Sequence, residues 1–297
     1  MKKTILIIFL LGIFFSCKEK NSQTKEIIHS TLEFTDYYNR TIKVKHNPQT
    51  VVSLSPGITE ILFDLGVGNK IIGRTKFCNY PESASKIETV GGITDASLEK
   101  IITLHPEIVI TSSMVRKDMV ENIEKAGITI ICLPERSNVE GVFNTLNILG
   151  KIFDKENVAD SLVNDMKIKL DQVKQSYNNQ KEKPSVYYVV GFGATGDFTA
   201  GKNTYINEII ELAGGKNIAD KVTNWSYSKE ELFAQEPDYI IVREEDLNSF
   251  IKTAPYKDLK AVKENKVLGI NSSLMDCQTC RSIEAIECIA SFIHENE

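Results

Sequence analysis

The 297-residue chain reads as an α/β protein of two similar lobes joined by a long backbone helix. Three observations predict this. Short apolar runs bounded by turn residues alternate with amphipathic helical patterns, the signature of mainly parallel sheets covered by helices. Two strand–helix units recur in the second half of the chain. Between the halves, Val139–Gln180 keeps a helical period with no proline.

In chain order, Lys2 and Lys3 precede an apolar run from Ile5 to Phe15. Eleven apolar residues would rise about 16 Å as a helix, half of a roughly 30 Å hydrocarbon core, so residues 1–16 read as a secretory signal peptide. The run ends in Phe14-Phe15-Ser16-Cys17, which resembles a bacterial lipobox and predicts lipidation of Cys17. Residues 17–30 are polar and aperiodic, as suits a tether between the lipid anchor and the body. The expected product is an exported lipoprotein held at a membrane, in the periplasm or cell envelope.

The N-terminal lobe is assigned to residues 31–138, the connecting helix to 139–180 and the C-terminal lobe to 181–297. Buried strands are expected at Val51–Leu54, Ile71–Ile72, Ile108–Thr111, Ile128–Leu133, Val186–Val190, Tyr239–Val242 and Val267–Ile270. Helices are expected at Ile58–Leu65, Leu98–Leu104, Lys117–Ala126, Tyr205–Ala213, Lys229–Ala234 and Ser282–Ile293. The repeat pairs Leu98–Ile110 with Glu230–Ile241, each a short helix halted before a proline and followed by a strand. It also pairs Glu60–Gly66 with Glu208–Gly214, each a helix ending on glycine. The stretch 139–180 is one helix or two, the second case broken near Gly150–Asp154. A long helix between lobes resists bending and predicts modest closure.

Composition narrows the function. Thirty-five basic residues against 40 acidic give a net charge of −5, and no basic run is present, so nucleic acid is not the partner. Cys132 and Cys288 lie in apolar or amphipathic patterns and read as core residues. Cys277-Gln278-Thr279-Cys280 reads as a local disulfide or neighbouring thiols, with a ligand or metal role alongside Cys78 left open. A second CxxC at zinc-finger spacing is lacking.

Ser53–Glu60 (SLSPGITE), Tyr80-Pro81, Val90-Gly91-Gly92, Leu98–Ile110, Phe198–Gly201 and Gly214–Asn217 follow one another in an order that resembles the substrate-binding proteins of bacterial ABC importers. Those importers carry iron–siderophore complexes, haem and vitamin B12. The resemblance covers about residues 48–294. It implies a monomeric receptor without catalysis or resident cofactor, which takes an iron- or cobalt-containing chelate between its lobes. It also implies delivery of that cargo to an ABC permease with its ATPase.

By the same resemblance, the cleft is lined by Phe77, Cys78, Tyr80, Phe192, Phe198, Trp225, Tyr227, Arg243, Met275 and Cys277. Aromatic rings would wall a planar cargo, and Arg243 would meet an anionic group. Sulfur ligands Cys78, Met275 and Cys277 leave open an alternative, capture of a free metal ion; the identity of any metal is unassigned. Docking to permease arginines falls to Glu60 and Glu211, with Glu208 in reserve.

One further signal points elsewhere. Gly191–Gly196 spells GxGxxG after a strand, but Asp197–Lys202 is turn-rich where a dinucleotide site needs a helix to open. An oxidoreductase is therefore the remote alternative. Four histidines (His29, His46, His105 and His294) stand apart in sequence, and no GxSxG or HExxH is present.

Overall fold

The structure, a computed structural model, describes residues 31–134, 138–177, 182–194 and 196–294. The segments expected to form a signal peptide and tether, with Cys17, fall outside them. Among the described residues no helix is long and apolar enough to cross a membrane.

The chain enters through a hairpin that the run-based reading passed over. Strands β1 (Thr31–Thr35) and β2 (Thr41–Lys45) pair antiparallel. The carboxylate of Asp36 holds the turn, accepting from the backbone N–H of Tyr38 and of Arg40 at 3.0 Å each.

The N-terminal lobe then follows the expected alternation: β3 (Val51–Ser53), α1 (Pro56–Asp64), β4 (Ile71–Arg74), α2 (Leu98–Thr103), β5 (Ile108–Ser112), α3 (Lys117–Lys125) and β6 (Ile130–Leu133). All four strands are parallel, in the order β4-β3-β5-β6. The segment 139–180 is not one helix. It forms α4 (Val139–Phe153) and α5 (Glu156–Ser176), with Asp154 in the left-handed region (φ 59°). The two run antiparallel: Lys167 of α5 lies 5.2 Å over the ring of Phe143, and the Cβ of Ala159 crowds Gly150. Turning back lets α5 bury Ala159, Val163, Met166, Leu170 and Val173, a stripe at three- and four-residue spacing. The long backbone helix is thus the 21-residue α5 alone.

The C-terminal lobe comprises β7 (Ser185–Val189), α6 (Tyr205–Leu212), β8 (Lys216–Asn217), α7 (Lys229–Gln235), β9 (Tyr239–Arg243), α8 (Leu247–Phe250), α9 (Lys260–Lys263), β10 (Val267–Ile270), α10 (Ser272–Asp276) and α11 (Ser282–His294). Its parallel sheet runs β10-β9-β7-β8. Counted within each lobe, both sheets have the order second, first, third, fourth. The repeat extends to single residues. Helices α1 and α6 end in the same Schellman turn, with Val67 N–H on Leu62 O and Gly215 N–H on Ile210 O, and with Gly66 and Gly214 at φ 73° and 86°. His105 and Glu236, each before the proline that stops its helix, both take positive φ (49° and 41°).

Strand alternation explains how the lobes cohere. Val51, Ile108 and Ile110 face one apolar cluster while Val52 and Val109 face a second, private to the N-terminal lobe. Tyr188 and Ile241 face the first cluster while Tyr187 and Ile240 face a third, private to the C-terminal lobe. The first cluster is continuous across the molecule through Leu146 and Leu149 of α4 and Leu170 of α5. A shared core resists wide separation of the lobes, because opening it would return buried apolar surface to water.

Gly201 marks the tightest backbone approach. A Cβ there would sit 1.9 Å from the carbonyl oxygen of Val222, and a backbone carbonyl cannot swing aside as a side chain can. Gly201→Ala is expected to cost roughly 3 kcal/mol and to lower the midpoint of thermal unfolding by about 5–10 °C, followed by circular dichroism. An unchanged midpoint would show that the 222 loop yields freely.

Candidate functional site

In open parallel sheets, ligands bind beyond the carboxyl ends of the strands, where the order reverses. That rule selects the loops after β3, β4 and β5 in one lobe and, by the repeat, after β7, β8 and β9 in the other. Those loops carry five of the nine exposed large apolar side chains among the described residues: Phe77, Tyr80 and Met114 from the first lobe, Phe198 and Trp225 from the second, each 36–52% exposed. Trp225 is held there by its backbone. It takes φ 66°, a conformation uncommon for a bulky residue, while its carbonyl accepts from Thr199 N–H at 2.8 Å. Phe198 is bridged on both sides, to Gly191 and to Ser226. The GxGxxG segment therefore folds back as an irregular ribbon, and the next helix opens only at Tyr205.

Burial divides the predicted wall. Phe77, Tyr80, Phe198 and Trp225 are open to solvent. Phe192 is half-buried, its ring edge-on to Phe250 and Tyr256 at 5.1 and 5.5 Å. Tyr227 is only 4% exposed and packs on Tyr187 at 5.4 Å, so it is a core side chain of the C-terminal lobe and not a wall. Burial, with Glu231 and Asp220 nearby, pushes its hydroxyl up to about 12. Met114 joins this wall from the loop after β5; the resemblance points to its loop, Ser112–Met114, without singling out this side chain, whose signal is its position just past a strand's carboxyl end.

The sulfur-bearing candidates turn inward. Cys78 and Met275 are each 1% exposed, and the Cys78 thiol shares a hydrogen bond with the Thr75 hydroxyl at 3.1 Å. Burial first, then Glu60 and Asp276, raise the Cys277 thiol to about 12, which holds it protonated and a poor metal ligand at neutral pH. Cys277 and Cys280 are free thiols, which leaves the local-disulfide reading without support. Cys132 is buried as expected, whereas Cys288 is exposed on the outer face of α11. Among the described residues no three His, Cys, Asp or Glu side chains are grouped to hold a metal ion.

Charged candidates also sort by geometry. Arg243 pairs with Asp276 at 3.3 Å, beside the buried Tyr188. Glu211 is exposed on α6 and accepts from Asn207 Nδ2 at 3.0 Å. Glu208 is half-buried and caps the first N–H of α4 at Val139, so its carboxylate already serves the fold. Glu60 departs from the expected solvent-facing carboxylate. It is 3% exposed, turned toward Arg281 of the opposite lobe, whose Nε lies 3.8 Å away. Loss of water outweighs that cation and raises the Glu60 carboxyl to about 7.

A separate cavity of about 230 Å³ lies between the amino end of β7 and the loop after β8, lined by Ser185, Lys221 and Glu231 among others. All of its lining residues belong to the C-terminal lobe. Tyr227 lines it, but none of the exposed side chains Phe77, Tyr80, Met114, Phe198 and Trp225 does.

A family model described as periplasmic binding protein matches residues 51–274. An uncharacterized ABC transporter substrate-binding lipoprotein of Bacillus subtilis (strain 168) is 28% identical, across 97% of this chain and 93% of its own length. A cobalamin-binding protein of Halobacterium salinarum is 26% identical, across 87% of this chain and 73% of its own. Among solved structures, the apo form of a periplasmic heme-binding protein from Roseiflexus sp. RS-1 superposes with a TM-score of 0.76. It covers 83% of this chain and 98% of its own at 21% identity, a likeness of fold.

Proposed function

Because the chain belongs to the periplasmic binding protein family, we propose that it is the substrate-binding component of an ABC importer, capturing a metal-chelate cargo of corrinoid, haem or ferric-siderophore type between its lobes. The single observation that carries this is the pair of exposed apolar rims, Phe77, Tyr80 and Met114 against Phe198 and Trp225, at the carboxyl ends of two matched sheets. Apolar side chains this large sit outside a fold at no benefit to it, and they suit the face of a broad, flat ligand. Relatives named for cobalamin and heme support a tetrapyrrole-like cargo. The free-metal reading gains nothing from the geometry, because Cys78 and Met275 are buried and the Cys277 thiol is held protonated.

Capture then requires little rearrangement. The rims are preformed, and the continuous core limits closure, so affinity comes from burying cargo against rings already in place. Delivery to the permease with its ATPase is assigned to Glu211 and Glu60, one carboxylate per lobe. Lipidation of Cys17 would keep the receptor beside that permease.

The test is a titration of the full-length protein with cobalamin, haemin and ferric siderophores. Trp225 is the sole tryptophan of the sequence, so its fluorescence reports the second rim alone. Saturable one-to-one quenching by one of these cargo classes is expected. Absence of both quenching and calorimetric heat with all of them overturns the chelate reading.

A further inference from the structure

Arg281, just before α11, bridges the lobes. Its guanidinium lies 3.8 Å from the centre of the Tyr80 ring, in the loop after β4, and its Nε lies 3.8 Å from Glu60 Oε2 on α1. Its other arm donates to the Ser273 hydroxyl at 2.8 Å. The backbone on which it rides is pressed against the same helix: a Cβ at Gly57 would lie 3.4 Å from the Gln278 carbonyl oxygen. One cation thus covers an exposed cleft aromatic and a buried carboxylate at once.

The pair is incomplete. At 3.8 Å the two groups attract without hydrogen-bonding, and Glu60 Oε2 and Arg281 Nε are both buried with no hydrogen-bond partner. Two buried charged groups with open hydrogen-bonding positions are poised to exchange partners. Asp64 and Glu284 also bear on Glu60, so withdrawal of the cation leaves a cluster of carboxylates at the lobe junction. Such a cluster would draw in another arginine.

We propose that Arg281 is a switch that couples cleft occupancy at Tyr80 to the docking carboxylate Glu60. In the empty receptor, Arg281 stacks on Tyr80 and masks Glu60. A flat cargo competes with the guanidinium for the face of that ring. The displaced guanidinium swings from α1, and Glu60 becomes open to an arginine of the permease. Loaded receptor then docks in preference to empty receptor, which spares the ATPase futile cycles. The inference rests on the docking role of Glu60 and Glu211.

The experiment uses the full-length protein with its cognate permease–ATPase in lipid vesicles, with cobalamin and haemin as probes. Loaded wild type is expected to stimulate ATP hydrolysis about tenfold more than empty wild type, and empty Arg281→Gln to approach the loaded level. Empty Arg281→Gln that remains as inactive as empty wild type overturns the switch. Hydrogen exchange supplies a reading free of the permease: amides of α1 and of residues 277–282 should exchange about tenfold faster in Arg281→Gln and in Tyr80→Leu. Unchanged exchange in both overturns the latch. Arg281→Lys keeps the charge without the planar stack, so it should fold normally and fall between wild type and Gln. Glu211→Lys lies away from the latch and should lower stimulation with exchange unaltered. Full stimulation by Glu211→Lys, together with faster exchange in Arg281→Gln, overturns docking and its coupling while leaving the latch in place.

Discussion

Between pH 5 and pH 8 the stability of the Glu60→Gln variant is expected to fall less steeply than that of the parent protein. Glu60 titrates near 7 in the folded state against 4.5 as its ordinary value. Burial is the main cause; Arg281 and a hydrogen bond from Thr279 oppose it, and Asp64 and Glu284 add to it. The folded pKa is raised, so the group's stabilising contribution is complete below the unfolded pKa. It is lost as pH climbs through the folded one. At about 1.4 kcal/mol per pKa unit, the parent should lose roughly 3 kcal/mol across that window through this residue alone. Gln cannot ionise, so that loss disappears. Asp64, Asp276 and Glu208 are also raised by burial and leave a residual slope of the same sign. Glu107 and Asp238 are lowered by hydrogen bonds, so their contribution is lost at acid pH, outside this window. Urea unfolding followed by far-ultraviolet circular dichroism at several pH values measures the slope. Parallel curves for the two proteins would mean that Glu60 is ionised and satisfied throughout.

The same residue shows where sequence reasoning stops. The strands were legible because those of a covered parallel sheet are buried on both faces and therefore write themselves as unbroken apolar runs. The hairpin Thr31–Lys45 was equally legible, but by a different period: Leu32 and Phe34, then Ile42 and Val44, alternate with polar residues around an Asp-Tyr-Tyr-Asn-Arg turn. The repeat was legible down to its glycine and proline stops. The bend at Asp154 was legible only as one of two alternatives, because nothing local forbids helix there; the turn is set by what α4 and α5 each bury. Site residue types were visible and their orientation was not. Trp225 and Tyr227 stand two positions apart, yet one is 45% exposed and the other 4%. Likewise the burial of Glu60 is imposed by Arg281, which is remote in sequence and adjacent only after the second lobe has folded back on the first.

The exposed rims give the largest effect on function. Phe77→Ala and Trp225→Ala should each leave stability within about 0.5 kcal/mol of the parent, because half of each ring is already in water and little of the core rests on it. Each ring could still cover on the order of 100 Å² of a flat cargo, roughly 2.5 kcal/mol of apolar burial, or up to about 70-fold in affinity. The two rings come from opposite lobes, so their losses should add, and the double variant should bind cobalamin or haemin more than about 100-fold more weakly. Tyr227 should behave in reverse. Its ring is core, so Tyr227→Ala should cost about 3–5 kcal/mol of stability. Its hydroxyl lacks a hydrogen-bond partner, so Tyr227→Phe should preserve both stability and affinity. Calorimetric titration paired with thermal unfolding separates these cases. If the Phe77 and Trp225 variants bind as the parent does, the cargo lies elsewhere on the facing loops, and the side chains left there, Tyr80, Phe198 and Arg243, become the wall that matters.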